Sequence, residues 1–148
     1  MKAFAEVGCN KCHGGVFFNG PVQPWGFGSY EKFPIHEDPV YEELYSLKAD
    51  EGRAAHTGKN RDVNRWRVST LRNISLTAPY FHNGSVISLE EAVRVMAKTQ
   101  LNKKLKPKQV SDIVEFLRSL TGDFPSQTYP KYIAGRDEIY LNQDSVSK

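Results

Sequence analysis

The stretch GCNKCHGG, residues 8–15, contains both cysteines of the 148-residue chain. Cys9 and Cys12 are separated by two residues, and His13 follows directly. A disulfide between these cysteines would close a very short loop, so its contribution to the free energy of unfolding would be small. The spacing therefore points to chemistry at these side chains rather than to a structural cross-link.

Residues 9–13 have the C-x-x-C-H pattern by which c-type haem is attached. Two thiols at this spacing can bond to the two vinyl groups of one porphyrin, and the adjacent imidazole then becomes the proximal ligand of the iron. We expect one covalently bound haem c, held by Cys9, Cys12 and His13. The alternatives are a thioredoxin-like redox pair, which would require a βαβ context, and a zinc site, for which the chain has no second cysteine pair.

The composition is that of an ordinary globular protein, with 39% apolar and 25% charged residues. No apolar run is long enough to cross a bilayer, so we expect no membrane span. The net charge of +3 is too small and dispersed to indicate a nucleic-acid partner. One basic cluster, NKKLKPK at 102–108, is either a solvated loop or a docking site for an acidic redox partner.

The opening sequence MKAFAEVGCNKC lacks the apolar region and cleavage site of a secretory signal. Either the protein is cytosolic, or the sequence is a mature or excised segment. Because bacteria attach c-type haem outside the cytoplasm, the motif favours a trimmed, periplasmic chain.

A haem iron held by one histidine has one further axial position, and its occupant decides between electron transfer and chemistry at the metal. Methionine occurs only at Met1, the terminus, and at Met96, which is therefore the candidate sixth ligand. The alternative is that Met96 is a flexible core residue. His36 and His56 lie in loop-like surroundings and are expected at the surface, although either could bind iron if Met96 does not.

A helix is predicted over residues 89–98, because Ser88 and Glu91 have the S-x-x-E spacing of a capping box. Four apolar residues at helical spacing predict one inward face: Leu89, Ala92, Val93 and Met96. This pattern turns Met96 towards the interior.

Three further helices are predicted, over residues 2–9, over 39–48 with Pro39 at the start, and over 107–120 with Gly122 as the C-cap. The last helix has one apolar face, formed by Val110, Ile113, Val114, Leu117 and Leu120. The glycine-, proline- and aromatic-rich segment 16–34 predicts loops, whose rings could line the macrocycle. The predicted fold is therefore mainly α-helical with long loops.

Residues 67–96, RVSTLRNISLTAPYFHNGSVISLEEAVRVM, closely resemble the C-terminal haem domain of bacterial di-haem cytochrome c peroxidases. DEGR at 50–53 and LTG at 120–122 also match, and the resemblance runs from Lys2 to about residue 125. It implies a cytochrome c-like mono-haem domain over residues 1–122. Residues 123–148 turn polar, with Pro125 and Pro130, and are expected to form an extended tail. In the family such a tail packs on the partner domain, whereas here it could be loose.

The resemblance implies a high-potential haem with His13 and Met96 as axial ligands. In the family, this haem takes electrons from a small cytochrome or cupredoxin and passes them to the low-potential haem of an N-terminal domain, where hydrogen peroxide is reduced to water. The chain has no second C-x-x-C-H, so the peroxidatic domain lies outside this sequence. A methionine ligand also disfavours the related tryptophan-modifying enzymes, whose corresponding ligand is tyrosine.

The family also binds calcium near the domain boundary, and the matching backbone carbonyls here are those of Thr77 and Pro79. Because another ligand, an asparagine, comes from the N-terminal domain, calcium would be weak or absent here. Arg53 and Arg72 are candidates for pairing with the haem propionates, with surface ion pairs as the alternative. His82, in PYFHNG, is expected to be structural or to lie near the haem edge.

The leading hypothesis is electron transfer, with peroxide reduction belonging to the complete enzyme. In the alternative, Met96 is labile and the isolated domain acts directly as a haem peroxidase or as a ligand sensor. Whether the chain is an enzyme by itself therefore stays open. Surface that faces the partner domain in the family could also drive formation of a homodimer.

Overall fold

The computed structural model describes residues 1–21, 28–123 and 126. These residues contain five α-helices: α1 (Lys2–Val7), α2 (Pro39–Tyr45), α3 (Ala54–Thr57), α4 (Leu89–Leu101) and α5 (Pro107–Arg118). They also contain two strands, β1 (Tyr30–Lys32) and β2 (Arg65–Arg67), and three 3₁₀ turns, Cys9–Lys11, Asn60–Asp62 and Ile74–Leu76. Within these ranges, no helix is long and apolar enough to cross a membrane.

The main hydrophobic core forms where α5 packs against α1 and α4. We call it the helical core; its buried members are Phe4, Val7, Tyr80, Val86, Leu89, Ala92, Val110, Ile113, Val114, Leu117 and Leu120. The rings of Phe4 and Phe116 lie 5.1 Å apart between centroids and tie α1 to α5. The first and last helices therefore pack together, and the apolar face predicted for the last helix is buried as expected.

A second group of buried residues, Phe33, Leu47 and Val95, forms what we call the small cluster. Tyr41, Trp66 and Met96 pack against it while remaining half-buried. Because α4 contributes Leu89 and Ala92 to the helical core and Val95 to the small cluster, this helix connects the two apolar regions.

Strands β1 and β2 pair antiparallel, with Tyr30 opposite Arg67 and Lys32 opposite Arg65. The expectation of loops throughout residues 16–34 is thus wrong at β1, because its partner strand lies more than thirty residues away in sequence. Gly52 forms a bridge with Arg65, and a Cβ atom at Gly52 would lie 2.8 Å from the Arg65 carbonyl oxygen. Residues 22–27, in the segment predicted to line the macrocycle, lie outside the described residues.

The start of α4 follows the predicted cap only in part. Ser88 Oγ accepts a hydrogen bond from the Glu91 N–H at 3.3 Å. The Glu91 carboxylate, however, accepts a hydrogen bond from Tyr45 Oη at 3.1 Å instead of closing the box. The helix also continues to Leu101, beyond the predicted end, and stops where Asn102 takes a left-handed conformation with φ 49°.

The predicted C-cap of the last helix is wrong. Helix α5 ends at Arg118 and is capped by Ser119, which keeps a right-handed conformation. The N–H of Gly122 donates to Asn73 Oδ1 at 2.9 Å, so a contact with a distant loop decides the role of this glycine. Of the tail predicted at 123–148, only residues 123 and 126 are described, and the predicted division at residue 122 stays a prediction.

Candidate functional site

Gly8 ends α1 and turns the chain into the cysteine-bearing loop. Its φ of 106° lies in the left-handed region, which glycine adopts without a steric penalty, and its N–H donates to the Phe4 carbonyl. The 3₁₀ turn Cys9–Lys11 follows, and the His13 N–H donates to the Cys9 carbonyl at 3.0 Å. Both thiols and the imidazole are thus carried by one compact turn that leads directly out of the helical core.

The two cysteine side chains are half-buried free thiols. Burial raises the pKa of the Cys9 thiol to about 11. The pKa of Cys12 is also raised, first by burial and then by the nearby Glu31 carboxylate. Since redox-active cysteine pairs depend on a lowered thiol pKa, this environment disfavours the thioredoxin-like alternative.

His13 is held in the form that can bind a metal. Its Nδ1 lies 3.1 Å from the Phe18 carbonyl oxygen, and the hydrogen bond places the ring proton on that nitrogen. Burial lowers the pKa of His13, partly opposed by the hydrogen bond to Phe18, so the ring is neutral near pH 7. Nε2 therefore keeps its lone pair, and a backbone acceptor fixes the orientation of the ring, as is usual for histidine ligands.

The loop that holds His13 is braced by residues from the family-like stretch. Thr70 Oγ1 donates to the Phe17 carbonyl at 2.6 Å, and the Arg72 guanidinium donates to the Val16 carbonyl at 3.0 Å. The guanidinium also lies 5.4 Å from the centroid of the Phe18 ring. Arg72 thus supports the segment whose carbonyl orients the imidazole of His13, while its pairing with a propionate stays a prediction.

Met96 lies half-buried on α4 and packs against the small cluster. The buried face of the helix differs from the predicted one. Val95, which the periodicity left out, is completely buried, whereas Val93 is half-buried like Met96. The reason is that α4 contacts two apolar regions, so its buried surface is wider than a single stripe.

Trp66 and His82 form a stacked pair that sequence reasoning did not find. Their rings are nearly parallel, at 13°, with centroids 3.9 Å apart. Trp66 Nε1 and His82 Nε2 are both buried without a hydrogen-bond partner among the described residues. Burial lowers the pKa of His82, so its ring is neutral near pH 7. Because buried polar atoms are normally hydrogen-bonded, these two nitrogens are available to a polar group that the described residues do not supply.

Arg53 lies in a different environment. Its guanidinium carbon is 4.4 Å from the centroid of the Tyr30 ring, and its Nε is 3.6 Å from Asp62 Oδ2. Asp62 is buried and also accepts a hydrogen bond from Thr57 Oγ1 at 2.8 Å. The guanidinium therefore already neutralises a buried carboxylate, and its pairing with a propionate stays a prediction.

The residues matched to the calcium site, Thr77 and Pro79, lie exposed on the loop before Tyr80. Within the described ranges, no group of three or more His, Cys, Asp or Glu side chains could hold a metal ion. His36 and His56 are exposed, in agreement with the surface positions expected for them. Calcium binding by Thr77 and Pro79 stays a prediction.

The described residues fit a covalently attached haem in two respects. His13 offers a neutral, oriented Nε2 beside two free thiols. The Trp66 and His82 nitrogens lack partners, and a haem carries carboxylates that accept hydrogen bonds. The donor set on the turn and the unsatisfied polar atoms thus agree with the same group.

No family model matches the chain. Cytochrome c551 peroxidase of Pseudomonas aeruginosa is 41% identical over 130 residues, which are 88% of this chain and 35% of that protein. Cytochrome c551 peroxidase of Nitrosomonas europaea is 41% identical over 127 residues, 86% of this chain and 34% of that protein. The chain is homologous to bacterial cytochrome c peroxidases. The family recognised from the sequence is confirmed, and the chain spans about a third of the length of these two relatives, consistent with a C-terminal haem domain.

Among solved structures, a MauG-like protein associated with microbial copper homeostasis matches with a TM-score of 0.62 and 22% identity. The match covers 82% of this chain and 45% of that one. At this identity, the likeness concerns the fold alone. It confirms the predicted fold class, a mainly helical, cytochrome c-like domain.

Proposed function

We propose that the chain is the electron-accepting haem domain of a cytochrome c peroxidase. It would receive electrons one at a time and pass them to a peroxidatic haem in another domain, where hydrogen peroxide is reduced to water. The observation that carries this proposal is the turn Cys9–His13, where two free thiols accompany an imidazole whose Nδ1 is tied to the Phe18 carbonyl. The homology to peroxidases of which this chain spans about a third supports a division of labour between domains.

Each residue of the site has a separate task. Cys9 and Cys12 would attach the haem, and His13 would bind the iron through Nε2. The bound haem would supply one-electron exchange between ferric and ferrous iron. Met96 would occupy the sixth position through its thioether, which favours the reduced state and keeps water and peroxide from binding.

Trp66 and His82 would position the haem through a propionate. The indole N–H can donate to a carboxylate, and a neutral imidazole can donate from Nε2 when its proton lies there. Such bonds would satisfy the two buried nitrogens that lack partners among the described residues. Arg72 would act one step away, by bracing the loop that orients His13.

The surroundings of the domain follow from the same proposal. A small cytochrome or cupredoxin would be the electron donor, and the location would be periplasmic. Calcium could use the exposed carbonyl region of Thr77 and Pro79, together with a ligand from the peroxidatic domain. Val16, Phe17 and Ile87 are at least 60% exposed, which offers apolar surface to that domain or to a second copy of this chain.

The decisive experiment removes the thioether while keeping the volume of the side chain. In the haem-loaded chain, Met96→Leu should convert a low-spin spectrum to a high-spin one and make the reduced haem react with hydrogen peroxide within seconds. Val93→Ala is the matched control, since Val93 is also half-buried on α4 but has no donor atom. It should keep the low-spin spectrum and the slow reaction of the unmodified chain.

Two results would contradict the proposal. If Met96→Leu leaves the spectrum unchanged, the thioether is not the ligand. If the unmodified chain is already high-spin and is repeatedly reoxidised by peroxide, its sixth position is open, and the domain acts directly as a peroxidase or a ligand sensor.

A further inference from the structure

A group of lysines lies beside the cysteine-bearing turn. We call Lys11, Lys103, Lys104 and Lys106 the lysine patch; all four residues are exposed. No carboxylate of the described residues lies within 4.0 Å of their ammonium groups. The patch therefore carries positive charge that this part of the chain does not neutralise.

Direct contacts place Lys11 and Lys103 of the patch next to Cys9. The Lys103 ammonium donates to the Val7 carbonyl at 2.7 Å, two residues before the cysteine. A Cβ atom at Gly8 would lie 3.7 Å from Lys11 Cε and 4.0 Å from Leu101 Cδ1, so both side chains meet the residue that precedes Cys9. Two of the four patch lysines thus lie at the segment that would carry the haem, and the other two follow Lys103 closely in the chain.

The backbone that presents the patch is well defined. Helix α4 ends at Leu101, and the N–H of its C-cap, Asn102, donates to the Lys98 carbonyl at 3.0 Å. The Lys103 N–H donates to the Ala97 carbonyl at 3.0 Å. The Lys106 N–H donates to Gln109 Oε1 at 2.9 Å, which joins the segment to the start of α5. Since these anchors hold both ends of the segment, little backbone ordering would oppose binding of a partner.

Lys108 and Lys2 each lie close to a carboxylate, unlike the four lysines of the patch. Lys108 contacts both carboxylate oxygens of Asp112, at 2.9 and 3.0 Å. Lys2 lies 3.7 Å from Glu6 on α1. These two lysines therefore add less free positive charge than the four lysines of the patch.

We propose that the lysine patch docks the acidic face of a small redox protein that reduces this domain. This inference rests on the proposed function, to which it adds the charge of the donor and the place where it binds. Complementary charge accelerates encounter and selects the partner, and docking beside Cys9 shortens the path to the attached group. One electron leaves the metal of the donor and enters the ferric haem iron, with no bond or proton transferred.

The test reverses charge at Lys104 and Lys106, whose side chains make no hydrogen bond or ion pair within the described part of the chain. Lys104→Glu with Lys106→Glu is compared with Lys59→Glu with Arg61→Glu, two exposed positions after α3 that change the net charge equally. The probe is plastocyanin, an acidic cupredoxin, and mitochondrial cytochrome c is the basic comparison. Binding is measured by calorimetry, and electron exchange by stopped flow in the downhill direction.

At low ionic strength, the patch variant should bind plastocyanin about tenfold more weakly than the unmodified chain does, and it should exchange electrons with plastocyanin about tenfold more slowly. Changes of this size lie within the range known for electrostatic steering. The control variant should change both quantities much less. The difference should disappear near 1 M salt, where the screening length is about 3 Å. Cytochrome c should bind the unmodified chain more weakly than plastocyanin does.

Equal losses in the two variants would overturn the proposal, because net charge would then explain them. Patch-dependent binding to phosphatidylglycerol vesicles without binding to plastocyanin would also overturn it and would assign the patch to an anionic membrane. Spectra of both variants separate this proposal from the proposed function. The chain could be low-spin and reducible by ascorbate while the patch variant exchanges electrons with plastocyanin at the rate of the unmodified chain. In that case the proposed docking surface is wrong and the proposed function stands.

Discussion

The helical core and the small cluster differ in the number of buried side chains that form them and in the hydrogen bonding of the polar atoms nearby. The helical core contains eleven buried residues from three helices and the segments between them, whereas the small cluster contains three. Four buried side-chain atoms lack hydrogen-bond partners among the described residues, and they belong to Glu42, Trp66, His82 and Ser85. All four residues lie on α2 or between α2 and α4 in the chain. We therefore predict that the first region is stable through its own packing and that a bound group completes the second.

The largest expected effect tests the helical core. Ile113 is 1% exposed, and Ile113→Ala should lower the free energy of unfolding by about 2–5 kcal/mol because it leaves a cavity among close-packed side chains. The loss should be similar with and without haem, and urea unfolding of both forms measures it. Val40→Ala, at a position 61% exposed, is the control and should change the stability by less than about 0.5 kcal/mol. A loss confined to the haem-loaded form would mean that the helical core is not self-sufficient.

An intermediate effect tests the region around the small cluster. His82→Phe keeps a ring to stack on Trp66 but removes the buried nitrogen that lacks a partner. The haem-free chain should be as stable as before or slightly more stable, since no hydrogen bond within the described residues is lost. The haem-loaded chain should lose about 1.5–3 kcal/mol, the range for a hydrogen bond to a charged group.

Calorimetric unfolding of the haem-free and haem-loaded forms of His82→Phe measures the change in stability of each form. His56→Phe is the matched control, since His56 is exposed on α3. Equal destabilisation of both forms by His82→Phe would show that the imidazole serves ordinary packing rather than the bound group.

The smallest expected effect concerns α4, which belongs to both regions. Ser88→Ala removes the side chain that accepts from the Glu91 N–H and should cost about 1 kcal/mol. Amide hydrogen exchange should accelerate along the first turn of α4, near Leu89 and Val93. Ser111→Ala, at an exposed position inside α5, should be neutral or slightly stabilising because alanine favours the helix. If the amides at the start of α4 exchange as slowly in Ser88→Ala as in the unmodified chain, packing alone holds the start of the helix.

Local patterns in the sequence predicted most of the helices and the central motif. Pro39 begins α2, and the apolar spacing from Val110 to Leu117 marks the buried face of α5, because both signals act within one or two turns. The family-like stretch was recognisable for the same reason, as an uninterrupted string. The fold class and the family are confirmed by the comparisons, whereas the roles of Met96, Arg53, Arg72, Thr77 and Pro79 stay predictions.

Predictions failed where a distant partner competes for a local group. Gly122 would cap α5 if its N–H turned back to the helix, but Asn73 accepts that N–H instead. Glu91 would close the capping box, but Tyr45 reaches its carboxylate from α2. In both cases the competing group is more than forty residues away, and no local pattern contains it.

The sequence by itself determined the C-x-x-C-H motif, the family and the position of most helices, because these depend on residue types at short spacing. The tertiary structure alone decided that Phe18 orients His13, that Trp66 stacks on His82, and that Lys103, beyond α4, lies close to Cys9. Of these, the stack and the lysine contact join segments far apart in the chain. Only packing of the helices and strands brings such segments together, so the surroundings of the motif could not be inferred from the motif itself.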